Sequence, residues 1–63
     1  MNNNADNLKL LLVDDEEDFR QATSAALGRR EFSVTEAASG DEALSAIQAE
    51  RPDVVLLDLK MPG

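Results

Sequence analysis

Leu8-Lys9-Leu10-Leu11-Leu12-Val13-Asp14-Asp15-Glu16-Glu17-Asp18 is a short apolar run that stops abruptly at five consecutive acids. Its apolar character is continuous rather than alternating, which points to a strand covered on both faces, as in a parallel sheet. From about Glu17 the period changes. Phe19, Ala22, Thr23, Ala26 and Leu27 fall at i, i+3, i+4, i+7 and i+8, the apolar stripe of an amphipathic helix. The acids ahead of the stripe sit where a helix N-terminus favours negative charge, and Arg29 and Arg30 sit near its other end. Gly28 is the expected stop.

Downstream, Phe32-Ser33-Val34-Thr35-Glu36-Ala37 alternates apolar and polar residues, the mark of a half-exposed strand. Ser39-Gly40-Asp41-Glu42 matches the S-x-x-E capping box, which announces a second helix with Ala43, Leu44 and Ile47 as its buried stripe. Pro52 ends that helix, since the residue before a proline is pushed out of helical geometry. Asp53-Val54-Val55-Leu56-Leu57-Asp58 reads as a third strand, apolar on both faces and closed by an acid. Met61-Pro62-Gly63 is turn chemistry. The order β-α-β-α-β implies an α/β fold with right-handed crossovers and a parallel sheet. Strand order 2-1-3 follows, because the alternating second strand suits an edge and the first suits the middle. The third strand is as apolar as an interior strand, yet nothing in these residues covers its far side.

The chain has 63 residues, enough for one small domain. A chain of this size buries only about 60% of the surface its unfolded form exposes. With no cysteine and no histidine, disulfides and the common zinc sites are excluded. The lack of cysteine fits the expected location, a reducing cytoplasm. Thirteen acids against six bases give a net charge of −7, which argues against nucleic acid or anionic lipid as a partner of this segment. Residues 1–7 are polar, with neither a basic start nor an apolar run, and read as a disordered leader ahead of a folded unit over 8–63. Leu10–Val13 and Val54–Leu57 are far too short to cross a bilayer.

In open α/β sheets, ligands bind at the carboxyl ends of the strands where the order reverses. With order 2-1-3, that point lies between strands one and three. Asp14 and Asp15 end the first and Asp58 ends the third, so the fold brings distant acids to one crevice. Carboxylates at close range repel one another unless a cation neutralises them. Magnesium suits the task, because it takes oxygen ligands and commonly uses one or two carboxylates plus phosphate oxygens. A carboxylate so placed can act as nucleophile and form an acyl phosphate. The plainer readings are a helix cap for Asp14 and Asp15, a turn former for Asp58 and a solvated loop lysine for Lys60. Convergence on one crevice favours the site.

These residues resemble the receiver domains of bacterial two-component response regulators. Leu11-Leu12-Val13-Asp14-Asp15-Glu16 is similar to their first-strand signature, and Ala38-Ser39-Gly40-Asp41-Glu42-Ala43-Leu44 to their second-helix entrance. Pro52-Asp53-Val54-Val55-Leu56-Leu57-Asp58-Leu59-Lys60-Met61-Pro62-Gly63 is similar to their phosphorylation-site strand and loop. The resemblance implies a phosphorelay function, with Asp58 as phosphoacceptor. It implies Mg²⁺ bound directly by Asp15 and Asp58, largely through water by Asp14, and by the backbone carbonyl of Lys60. The phosphoryl group would come from a sensor histidine kinase or a phosphotransfer protein. The complete domain would be a flavodoxin-like, doubly wound five-stranded sheet, capable at most of self-catalysed phosphoryl transfer and autodephosphorylation.

Such domains run to roughly twice this length, within the usual domain range. Residues 8–63 are therefore expected to be a truncated receiver, its N-terminal part. A Ser or Thr and a Lys that contact the phosphoryl group in the family would lie in the remainder, so phosphorylation of this chain alone is expected to be impaired. Self-association through strand 53–58, an exposed apolar edge, is expected as well. The alternative is a receiver-like protein-interaction module that is never phosphorylated, against which the repulsive acid cluster speaks. A metal-dependent phosphatase fits less well, since the phosphatases with an aspartyl nucleophile that it would resemble typically carry a second acid two residues further on, where Glu16 would be a poor substitute, and no Gly-rich turn for a dinucleotide follows the first strand.

Overall fold

The computed structural model describes residues 7–58, with Asp58 described by its backbone alone. Most of the expected leader, Lys60 and the Met61–Gly63 turn lie outside the described residues. Five elements follow one another: β1 (Leu8–Asp14), α1 (Glu17–Gly28), β2 (Phe32–Ala37), α2 (Gly40–Ala49) and β3 (Val54–Asp58). The strands form one parallel sheet in the order β2-β1-β3, as the pattern of apolar residues predicts. Leu8 to Val13 of β1 pair with Phe32 to Ala37 of β2, and Leu10 to Asp14 pair with Val54 to Asp58 of β3.

The core lies on β1. Leu10 through Asp14 are all buried, since this strand alone has a neighbour on each side and a helix over each face. Leu11 and Val13 pack with Ala37, Ala43, Ala46 and Ile47, so α2 covers this face. Side chains alternate along a strand, so Leu10, Leu12 and Asp14 lie on the opposite face, where a right-handed crossover places α1. Burying Leu11 or Leu12 contributes about 1.5–3 kcal/mol each relative to exposure.

α1 departs from its expected stripe. Thr23 and Leu27 are half-buried, but their inward companions are Arg20 and Ser24, while Phe19, Ala22 and Ala26 are exposed. The helix is seated on β1 and β2 and does not pack against β3, so its inner face is turned toward β2. α2 begins as the capping box requires: Ser39 Oγ accepts from Glu42 N at 3.2 Å. The return bond differs, since Glu42 Oε1 accepts from Ala38 N at 2.8 Å rather than from the cap residue itself.

Neither helix packs against β3, and Val54, Val55, Leu56 and Leu57 are 39%, 44%, 41% and 56% exposed. At the foot of the sheet, Asp53 and Lys9 clasp each other. Lys9 N donates to Asp53 Oδ2 at 2.8 Å, and Asp53 N donates to Lys9 O at 2.7 Å. The Lys9 ammonium lies 2.7 Å from Glu50 Oε2, and this hydrogen-bonded ion pair holds its pKa above the ordinary lysine value.

Candidate functional site

Asp14 closes β1 at the carboxyl end of the sheet and is completely buried. Its Oδ1 accepts from Glu16 N at 2.9 Å, which turns the chain out of the strand and into α1. Its Oδ2 is buried and has no hydrogen-bond partner among the described residues. A buried carboxylate oxygen left unsatisfied costs free energy, and native proteins tolerate few of them. Asp14 is therefore not the helix cap that an Asp-Asp pair most often supplies. Glu16 takes the cap position of α1. Asp15 is exposed, with no side-chain hydrogen bond to the described residues.

Asp58 stands directly across from Asp14 in the β1–β3 register. Neighbouring strands lie about 4.8 Å apart. Two acids more than forty positions apart thus close adjacent strands side by side, at the point where the sheet order reverses. Among the described residues no group of three or more acidic, histidine or cysteine side chains gathers to hold a metal. The other two expected ligand positions, the Asp58 side chain and the Lys60 carbonyl, lie outside what is described. The donors that are described suit a hard cation: an orphaned buried carboxylate oxygen at Asp14 and an accessible carboxylate at Asp15.

Two residues at this end of the sheet were not singled out by the sequence pattern. Arg20, on the inner face of α1, donates from Nη1 to the Asp14 carbonyl oxygen at 2.9 Å and from Nε to Glu36 Oε1 at 3.1 Å. The available signal was positional. Arg20 is one helical turn before Thr23 and two before Leu27, while Glu36 shares its face of β2 with Phe32 and Val34. The two periods place charges of opposite sign on the facing sides of α1 and β2, with Arg20 largely covered and Glu36 exposed.

A doubly wound parallel sheet with acids gathered at its switch point defines a class of α/β domain that binds ligands at the strand carboxyl ends. Residues 10–63 match the family model for the response regulator receiver domain, and the chain belongs to that family. It is 42% identical over 59 residues to the transcriptional regulatory protein CseB of Streptomyces coelicolor, covering 94% of this chain and 25% of that protein. It is 40% identical over 57 residues to sporulation initiation phosphotransferase F of Bacillus subtilis, covering 90% of this chain and 46% of that one. A third relative is the alkaline phosphatase synthesis transcriptional regulatory protein PhoP of Bacillus subtilis, 39% identical over 56 residues and matched over 89% of this chain and 23% of its own length. The chain thus spans between about a quarter and a half of the relatives it matches. Among the described residues no helix is long and apolar enough to cross a membrane.

Proposed function

We propose that this chain carries the phosphoacceptor half of a phosphorelay switch, with Asp58 as the acceptor and Asp14, Asp15, Asp58 and the Lys60 carbonyl as the Mg²⁺ site. The observation that supports this most is the register: Asp14, with its unsatisfied Oδ2, is paired with Asp58 at the switch point of the sheet. The donor is a phosphohistidine on a histidine kinase or phosphotransfer protein. A carboxylate oxygen of Asp58 attacks the phosphorus, the P–N bond breaks, and the departing imidazole nitrogen keeps the electron pair and takes up a proton. When bound, Mg²⁺ shields the attacking carboxylate and offsets charge on the transferring phosphoryl group. The chain's own part is to hold Asp14 and Asp15 beside Asp58 in a rigid turn. Residues 8–63 are read as the N-terminal part of a receiver.

The intact protein treated with acetyl phosphate and Mg²⁺ is expected to gain one phosphoryl group by mass, and Asp58→Asn is expected to abolish the gain. An undiminished adduct on Asp58→Asn, or none on wild type, overturns the assignment. The 63-residue chain on its own is proposed to self-associate along the β3 edge, whose apolar side chains are uncovered. A clean monomer in sedimentation at high micromolar concentration would count against that.

A further inference from the structure

The hydrogen bonds at the head of the sheet close a ring. Asp14 Oδ1 accepts from Glu16 N at 2.9 Å, and Glu16 O accepts from Arg20 N at 2.9 Å. Arg20 Nη1 then donates back to the Asp14 carbonyl at 2.9 Å. A second arm leaves the ring, from Arg20 Nε to Glu36 Oε1 at 3.1 Å, and anchors it on β2. The Arg20 side chain is only 14% exposed, so the guanidinium is held between helix and sheet rather than waving in solvent.

The carbonyl that Arg20 holds belongs to the peptide joining Asp14 to Asp15. That peptide is planar, so fixing its oxygen also fixes the direction of the Asp15 N–H and the place of the Asp15 Cα. Asp15 has no side-chain hydrogen bond of its own among the described residues, and its placement therefore comes from its backbone. We infer that Arg20 is a positioning residue for the carboxylate site: through the Asp14 carbonyl it sets the peptide plane that presents Asp15 beside Asp14, while Glu36 holds the guanidinium in that orientation. The inference rests on the magnesium reading given above.

Charge and positioning predict opposite signs, which makes the role testable. A cation near a divalent-metal site weakens metal binding on Coulombic grounds, so an Arg20 that acted through charge alone would give tighter binding when removed. An Arg20 that positions a ligand would give weaker binding, and partners of metal ligands typically change affinity by about 10–100-fold. Arg20→Lys keeps the charge but loses the planar fork that serves two acceptors at once. Arg20→Met combined with Glu36→Gln removes both arms and leaves the net charge unchanged.

The experiment is a Mg²⁺ titration of the intact protein, followed by the amide NMR shifts of Asp15 and Glu16 well below the thermal midpoint. The carbonyl-carbon shift of Asp14 is recorded beforehand without metal. Both variants are expected to bind Mg²⁺ about tenfold more weakly and to move the metal-free Asp14 carbonyl signal. Unchanged or tighter affinity in both variants overturns the positioning role and leaves Arg20 a brace between helix and sheet. Wild-type protein whose Asp15 and Glu16 signals ignore Mg²⁺ overturns the magnesium reading itself. In that case the metal-free measurement still decides the contact, because an Asp14 carbonyl signal unmoved by Arg20→Lys refutes it.

Discussion

The two ends of the sheet treat their acids in opposite ways. At the foot, Asp53 accepts from Lys9 N and gives its own N–H to Lys9 O, while Glu50 is matched by the Lys9 ammonium. Those carboxylates have partners, and they work to hold β1 and β3 together. At the head, Asp14 is fully buried and, among the described residues, only one of its carboxylate oxygens has a partner. A stability-driven sequence would fill that position with an apolar residue or give the second oxygen a donor, since a buried polar atom without a partner costs about 1–3 kcal/mol. The difference teaches where to look for chemistry: in the acid whose burial its own fold does not repay, rather than where acids are most numerous.

The sharpest way to break this comparison is Asp14→Asn. The amide oxygen can still accept from Glu16 N, so the turn into α1 survives, but the site loses a charge. Mg²⁺ affinity is expected to fall by about 10–100-fold, while stability without metal stays level or rises, as is common when a functional acid is neutralised. Titration and thermal melts of the same sample would check both halves. Equal losses of stability and affinity would make Asp14 a structural residue after all. Asp53→Ala should do the reverse with a smaller effect. It removes one acceptor from the foot and is expected to cost about 1–2 kcal/mol of stability, read from denaturant unfolding. Mg²⁺ affinity of the folded variant should be little changed. A larger effect on the metal than on unfolding would erase the distinction between the ends.

Much of this was legible in the sequence, for identifiable reasons. The unbroken apolar run Leu10–Val13 suits a strand covered on both sides, and the alternation in Phe32–Ala37 suits an edge. Placing those two fixed the sheet order, and with it the meeting of Asp14 with Asp58. Arg20 escaped because a pattern reading assigns charges to solvent, whereas this guanidinium is largely covered by its bonds to the Asp14 carbonyl and to the exposed Glu36. The α1 stripe was misjudged at Phe19, Ala22 and Ala26 for a related reason: periodicity finds an apolar face but not which part of it a neighbour will cover. Lys60 and the residues after β3 were legible only as motif, and they lie outside the described residues.

The clasp at Asp53 has a consequence at the other end of the molecule. Five positions separate Lys9 from Asp14 along β1, and five separate Asp53 from Asp58 along β3. The foot therefore works as a gauge: once Lys9 and Asp53 have locked, equal lengths of extended chain deliver the two acids to the same level. A slip of one residue would set Leu57 against Asp14 and take Asp58 out of line with it. Accuracy at the head of the sheet is thus established at the foot, by residues that lie at the opposite end of both strands.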